Sequence, residues 1–120
     1  MNKKIVTFGE ILLRLTPSGC LKFSQSNSVC ATFGGSETNC AVSLAHLGAN
    51  SEFVTRVPDN DIAHSCIKDL SSHGVKTSNV IYGGERLGLY YFENTSSART
   101  AKVVYDRAHS SFCTMTPSTI

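Results

Sequence analysis

Hydrophobic and polar positions follow two rhythms along this chain. In "KIVTFGE" a short apolar run, Ile5 to Phe8, is stopped by Gly9 and predicts a buried strand. "ILLRLTP" predicts a second strand, ended by Pro17 and the turn around Gly19. From Cys20 to Phe33 the text is polar and weakly alternating, compatible with short, partly exposed strands or with loop. A helical period then takes over from about Thr38 to Leu47, with Ala41, Leu44, Ala45 and Leu47 on one side and Gly48 as terminator. "SEFVTRV" alternates as a strand does, and "PDND" supplies a proline stop plus an N-cap at Asp59 or Asn60. A second helix runs to about His73, its stripe formed by Ile62, Cys66, Ile67 and Leu70. "NVIY" predicts a strand and "GGERLG" a turn region. "LYYFE" and "KVVYDR" predict two further strands, joined as a hairpin by the polar "NTSSART".

Strand, helix, strand, helix, strand is the order of a parallel sheet with right-handed crossovers. The strand pair near the end and the early pair around residues 11–33 break that rhythm. They predict a separate small antiparallel layer. The expected class is therefore α/β, a parallel sheet with crossover helices plus a small antiparallel part. At 120 residues, with no internal repeat, low-complexity tract or linker, the chain is one domain's worth at most.

Charge narrows the function. The net charge is +2 and the basic residues are scattered, so the electrostatic footprint of a nucleic-acid binder is missing. Two lysines precede the apolar run of "MNKKIVTFGEILLRL", but Glu10 and Arg14 interrupt it and no small-residue cleavage site follows, so a secretory leader is rejected. No stretch approaches the ~18 apolar residues of a membrane span, and the cytoplasm is the expected compartment. The five cysteines are odd in number and contain no C-x-x-C pair. Neither they nor the four histidines show metal-ligand spacing, so buried thiols and solvated imidazoles are expected rather than disulfides or a metal site.

The candidate chemistry lies in "FGGSETN". Without Cβ atoms, Gly34 and Gly35 would let a ligand reach backbone N–H groups, and the helix behind them presents unpaired donors suited to hydroxyls, carboxylate or phosphate. Asn39, in the first helical turn, offers both a donor and an acceptor to a polyol. A tight turn with Ser36 as N-cap accounts for the same residues without a ligand. Neither a Walker loop nor a G-x-G-x-x-G fingerprint is present, which disfavours a nucleotide site in this segment.

"GGSETNCAVSLAHLG" followed by "SEFVTRVPDND" resembles the N-terminal signature of the ribokinase-like (PfkB) carbohydrate kinases. In that signature an asparagine stands four residues beyond the second glycine, on a helix ending in Leu-Gly, before a strand and an acidic turn. The opening "IVTFGEILLRL" resembles the same family's first strand and Gly-Glu turn, so the likeness covers nearly the whole chain. "FGGSETN", "RVPDND", "GLYYFE" and "VVYDRAHS" are most similar to the 2-keto-3-deoxygluconate kinases among them. Pro58 replaces a glycine common in the family, and Arg14 stands where many neutral-sugar kinases place an aspartate.

The resemblance implies a Rossmann-like ribokinase fold with a β lid, its strands around 11–33 and 88–107, and residues 1–120 as the N-terminal part of one kinase domain. It places Gly34 and Gly35 against the sugar-acid chain and Asn39 on a hydroxyl. Tyr90 would contact the substrate from the lid, and Tyr105 and Arg107 would meet its carboxylate end. An arginine fork suits a carboxylate through paired charge-assisted hydrogen bonds, whereas a neutral sugar gives it nothing to pair with. For Arg107 a solvated strand-end charge, and for the two tyrosines simple packing with wet hydroxyls, account for the same residues. ATP and Mg2+ are implied as cofactors of the complete enzyme, and a homo-oligomer through the β lid as its assembly. The family's catalytic aspartate, in a glycine-rich turn, is expected beyond residue 120, so no catalytic residue is assigned here and this chain alone is expected to be inactive. A fructokinase-like activity and a non-catalytic sugar-binding or dimerisation fragment are the competing expectations.

Overall fold

The computed structural model describes residues 3–96 and 99–120; Met1, Asn2, Ser97 and Ala98, the last two within the expected hairpin connection "NTSSART", lie outside the described residues. Strand β1, Lys4–Phe8, pairs in parallel with β4, Asn50–Val54, and the helix α1, Ser36–His46, crosses between them. Beyond β4, the Phe53 amide donates to the Lys76 carbonyl and the Lys76 amide to the Ser51 carbonyl, which adds another parallel step to the layer. A short strand β5, Arg56–Val57, pairs in parallel with β6, Ile81–Tyr82, and α2, Asp61–Ser72, links them. The parallel layer with crossover helices is thus present, although "SEFVTRV" is two strands rather than one.

The remaining strands form one separate four-stranded sheet in the order β3 (Val29–Gly34), β2 (Leu12–Pro17), β7 (Leu89–Glu93), β8 (Lys102–Asp106). Its two outer joints are antiparallel, β2 with β3 and β7 with β8, the latter being the expected hairpin. The expectation of a purely antiparallel layer is corrected at the centre, where β2 and β7 run parallel. That joint unites two hairpins that lie far apart in sequence, and nothing local in either specifies its direction.

The core lies between α1, α2 and β4. Phe53, Val57, Ala41, Ala63, Cys66, Ile67, Leu70 and Val75 are buried there, joined by Ile11 and Leu87 from the segments leading into the second sheet. β4 is buried on both faces, as a strand covered on each side requires. Its small residue Ser51 donates through Oγ to the Ala41 carbonyl at 2.8 Å, fastening α1 to the strand. Helix α2 starts at Asn60, whose Oδ1 accepts from the Ala63 amide at 2.9 Å, so the second of the two candidate caps is the one used.

Two stripe assignments need correction. Ile62 is 54% exposed and Leu47 84% exposed, while Ala63 takes the inward place at the start of α2. Leu47 is the C-cap residue of α1, past the last turn that packs on the core. The thiols also differ from expectation, because only Cys66 is buried and Cys20, Cys30, Cys40 and Cys113 are exposed. Burial, with Asp69 adding to it, pushes the Cys66 thiol up to about 12, which keeps it neutral and unreactive at ordinary pH.

Glu52 is a buried charge on β4. One carboxylate oxygen accepts from Asn79 Nδ2, and Lys4 Nζ stands 3.1 Å from the other. The Asn79 hydrogen bond and the Lys4 ammonium hold its pKa below the usual glutamate value, outweighing the opposing effect of burial. A lowered folded-state pKa stabilises the fold above the unfolded value, near 4.3, and that contribution disappears as pH falls through and below it. In acid titrations of the full-length protein, Glu52→Gln is expected to lower stability at pH 7 and to flatten the acid limb below about pH 4.5. An acid limb unchanged by the substitution would contradict this role.

Candidate functional site

Alternation along three strands builds the site. In a strand, residues two apart share a face. Leu12 and Arg14 of β2, Tyr90 and Phe92 of β7, and Val103 and Tyr105 of β8 all project to one face of the second sheet, with Arg107 just past the end of β8. Register aligns them, since Arg14 lies opposite Tyr90, and Tyr90 opposite Tyr105. This face and the start of α1, with Gly35, Ser36, Glu37 and Asn39, enclose a cavity of about 450 Å³, wide enough for a six-carbon polyol.

The structure therefore brings five of the six sequence-predicted residues to one cavity: Gly35, Asn39, Tyr90, Tyr105 and Arg107. Gly34 sits immediately behind the wall, where a Cβ would stand 3.1 Å from the Tyr90 hydroxyl. Gly35 has φ of 147°, and a Cβ there would lie 2.6 Å from the Glu10 carbonyl oxygen. The second glycine is thus demanded by the backbone itself, whatever binds in front of it. Gly35 is also the N-cap of α1, with no side chain capping the first turn. The alternative in which Ser36 caps the helix is not what forms. The uncapped amides of that first turn leave donors and a partial positive charge beside the cavity.

Sequence reasoning missed the residue that organises the site. Glu10, read only as part of a turn, is 5% exposed and lies under the cavity. Its Oε1 is 2.5 Å from Arg107 Nη2 in an ion pair that is not aligned as a hydrogen bond, and its Oε2 accepts from Ser110 Oγ at 2.7 Å. A Cβ at Gly88 would fall 2.6 Å from the same Oε2. The Arg107 guanidinium also stands 5.8 Å from the Tyr105 ring centroid, and the Tyr90 and Tyr105 rings are 5.9 Å apart. Arg107 is thereby oriented from behind by a buried carboxylate while 45% of its side chain stays exposed.

The end of β8 is clamped a second time. Arg86 donates from Nη1 to Asp106 Oδ1 at 3.0 Å and from Nη2 to the Asp106 carbonyl at 2.6 Å. On the sheet's other face Phe23 meets Tyr91 edge-on, with centroids 5.7 Å apart, and its amide donates to Glu93. Those contacts fix the strands from which the site side chains project.

The chain belongs to the pfkB family of carbohydrate kinases, whose pattern matches residues 2–118. It is similar to a 2-dehydro-3-deoxygluconokinase from Thermotoga maritima, whose crystal structure superposes with a TM-score of 0.95 at 42% identity, over 98% of this chain and 36% of that one. A PfkB family carbohydrate kinase from Listeria grayi superposes with a TM-score of 0.90 at 41% identity, over 94% and 35% of the two chains. Among curated proteins, a 2-dehydro-3-deoxygalactonokinase of Haloferax volcanii is 31% identical over 98% of this chain and 37% of its own length. The chain thus spans roughly a third of the length of the relatives it matches.

Removing Arg107 would leave the enclosed Glu10 carboxyl without its ion-pair partner. Because the arginine is half exposed and water can partly replace it, Arg107→Ala is expected to cost about 1–3 kcal/mol of stability. Glu10→Gln on top of it is expected to recover most of that loss, measured by denaturant unfolding of the full-length protein. Strictly additive losses in the two variants would mean that the pair is not coupled.

Proposed function

We propose that the whole protein transfers the terminal phosphoryl group of ATP to the terminal hydroxyl of 2-keto-3-deoxygluconate, and that this chain forms the acceptor side of the site. One observation carries the reading: an arginine fork and two tyrosine hydroxyls share a cavity wall opposite an uncapped helix start and an asparagine. A sugar acid needs both halves. Its hydroxyls suit Asn39 and the bare main chain at Gly35, and its carboxylate suits Arg107 with Tyr105 alongside. The names of the Thermotoga and Haloferax relatives, both kinases of 2-keto-3-deoxy sugar acids, support the same substrate class.

The donor, ATP with Mg2+, is assigned to other parts of the whole protein. No group of three or more His, Cys, Asp or Glu that could hold a metal ion occurs among the described residues. Acceptor positioning is the step assigned to this chain. In phosphoryl transfer, holding the attacking oxygen in line supplies much of the rate. A homo-oligomer held through the four-stranded sheet belongs to the same proposal, supported by Val104, which is 47% exposed on the face away from the cavity.

With ATP and Mg2+, the full-length protein is expected to phosphorylate 2-keto-3-deoxygluconate with a kcat/KM about 100-fold above that for fructose, because fructose has no carboxylate to meet the guanidinium groups of the cavity. Comparable or better turnover of fructose would overturn the assignment.

A further inference from the structure

Two guanidinium groups face the cavity, and they are not equivalent. Arg107 is matched by buried Glu10, so its charge is largely spent inside the protein. Arg14, in the middle of β2, has no such match. Its guanidinium carbon lies 4.4 Å from the centroid of the Phe92 ring, its Nε is shielded from solvent without a hydrogen-bond partner, and among the described residues no carboxylate pairs with it. Register places it directly beside Tyr90, on the same cavity wall as Arg107. The Glu37 carboxylate across the cavity is exposed and screened by water.

A half-buried arginine that only packed would turn its fork to solvent or to an acid. Its place over the Phe92 ring instead limits the fork's movement, while contributing only weakly to neutralising the charge. The donors so held, lining the same cavity as the Tyr90 side chain, form a pre-organised anion contact. Resting on the reading of this cavity as a sugar-acid site, we infer that Arg14 is a specificity-determining residue. It binds the substrate's carboxylate end directly and provides the positive charge that Arg107, paired to Glu10, cannot supply alone.

The test is steady-state kinetics of full-length wild type, Arg14→Gln and Arg14→Lys with 2-keto-3-deoxygluconate and ATP. Arg14→Gln is expected to raise the KM for the sugar acid about tenfold, with kcat changed less than about threefold and the KM for ATP unaltered. Arg14→Lys, which restores the charge without the fork, is expected to recover part of the loss. A purely packing role would reduce the active fraction, lowering kcat at constant KM. An active wild type whose Arg14→Gln variant keeps its KM within about twofold overturns this inference alone. A wild type inactive on the sugar acid overturns the substrate reading, and this inference with it.

Discussion

A carboxylate enclosed beneath the cavity is the constraint on which the rest of this structure depends. Glu10 stands at the junction of β1 and β2, where the chain leaves the parallel layer for the four-stranded sheet. Enclosed, it needs partners, because an unpaired buried charge costs several kcal/mol. Arg107 and Ser110, about a hundred residues downstream, provide them. Two glycines are fitted around it, Gly35 against its carbonyl and Gly88 against its side chain. The ion pair therefore does two things at once. It ties the end of β8 back to the junction between the layers, and it aims a guanidinium at the cavity.

From that junction the two layers divide the work. The parallel layer buries the core and sets the start of α1, with its uncapped amides, at one side of the cavity. The mixed sheet extends away and supplies the opposite wall from alternate residues of three strands. This arrangement makes the molecule elongated, with a radius of gyration of 15.6 Å against about 14 Å for a compact chain of this length. A wall built on paired strands holds side chains more firmly than a loop would, which suits a site whose task is to position a hydroxyl for attack.

Much of this was legible in the residues. The strand and helix rhythm marked the parallel layer, and the double glycine before an amphipathic helix marked one wall of the site. Resemblance supplied the tyrosines and Arg107. Other features depend on partners far away in sequence. Ile62 and Ala63 both fit an apolar stripe, and only the neighbours of α2 decide which turns inward. Glu10 looked like an ordinary turn residue, because nothing near it signals that Arg107 and Ser110 close over it. Arg14 stood out as a charge in an apolar strand and as a replacement for the aspartate of neutral-sugar kinases. The parallel pairing of β2 with β7 reveals what it faces, since that register sets it beside Tyr90.

The most direct measurement is a crystal structure of the full-length protein with 2-keto-3-deoxygluconate bound. The account predicts electron density for the sugar acid between the sheet face and the start of α1. Its carboxylate would lie within about 3 Å of a guanidinium of Arg107 or Arg14, and the Glu10–Arg107 pair would stay intact beneath it. Density placing the ligand outside that cavity, or its carboxylate pointing away from both arginines, would contradict it.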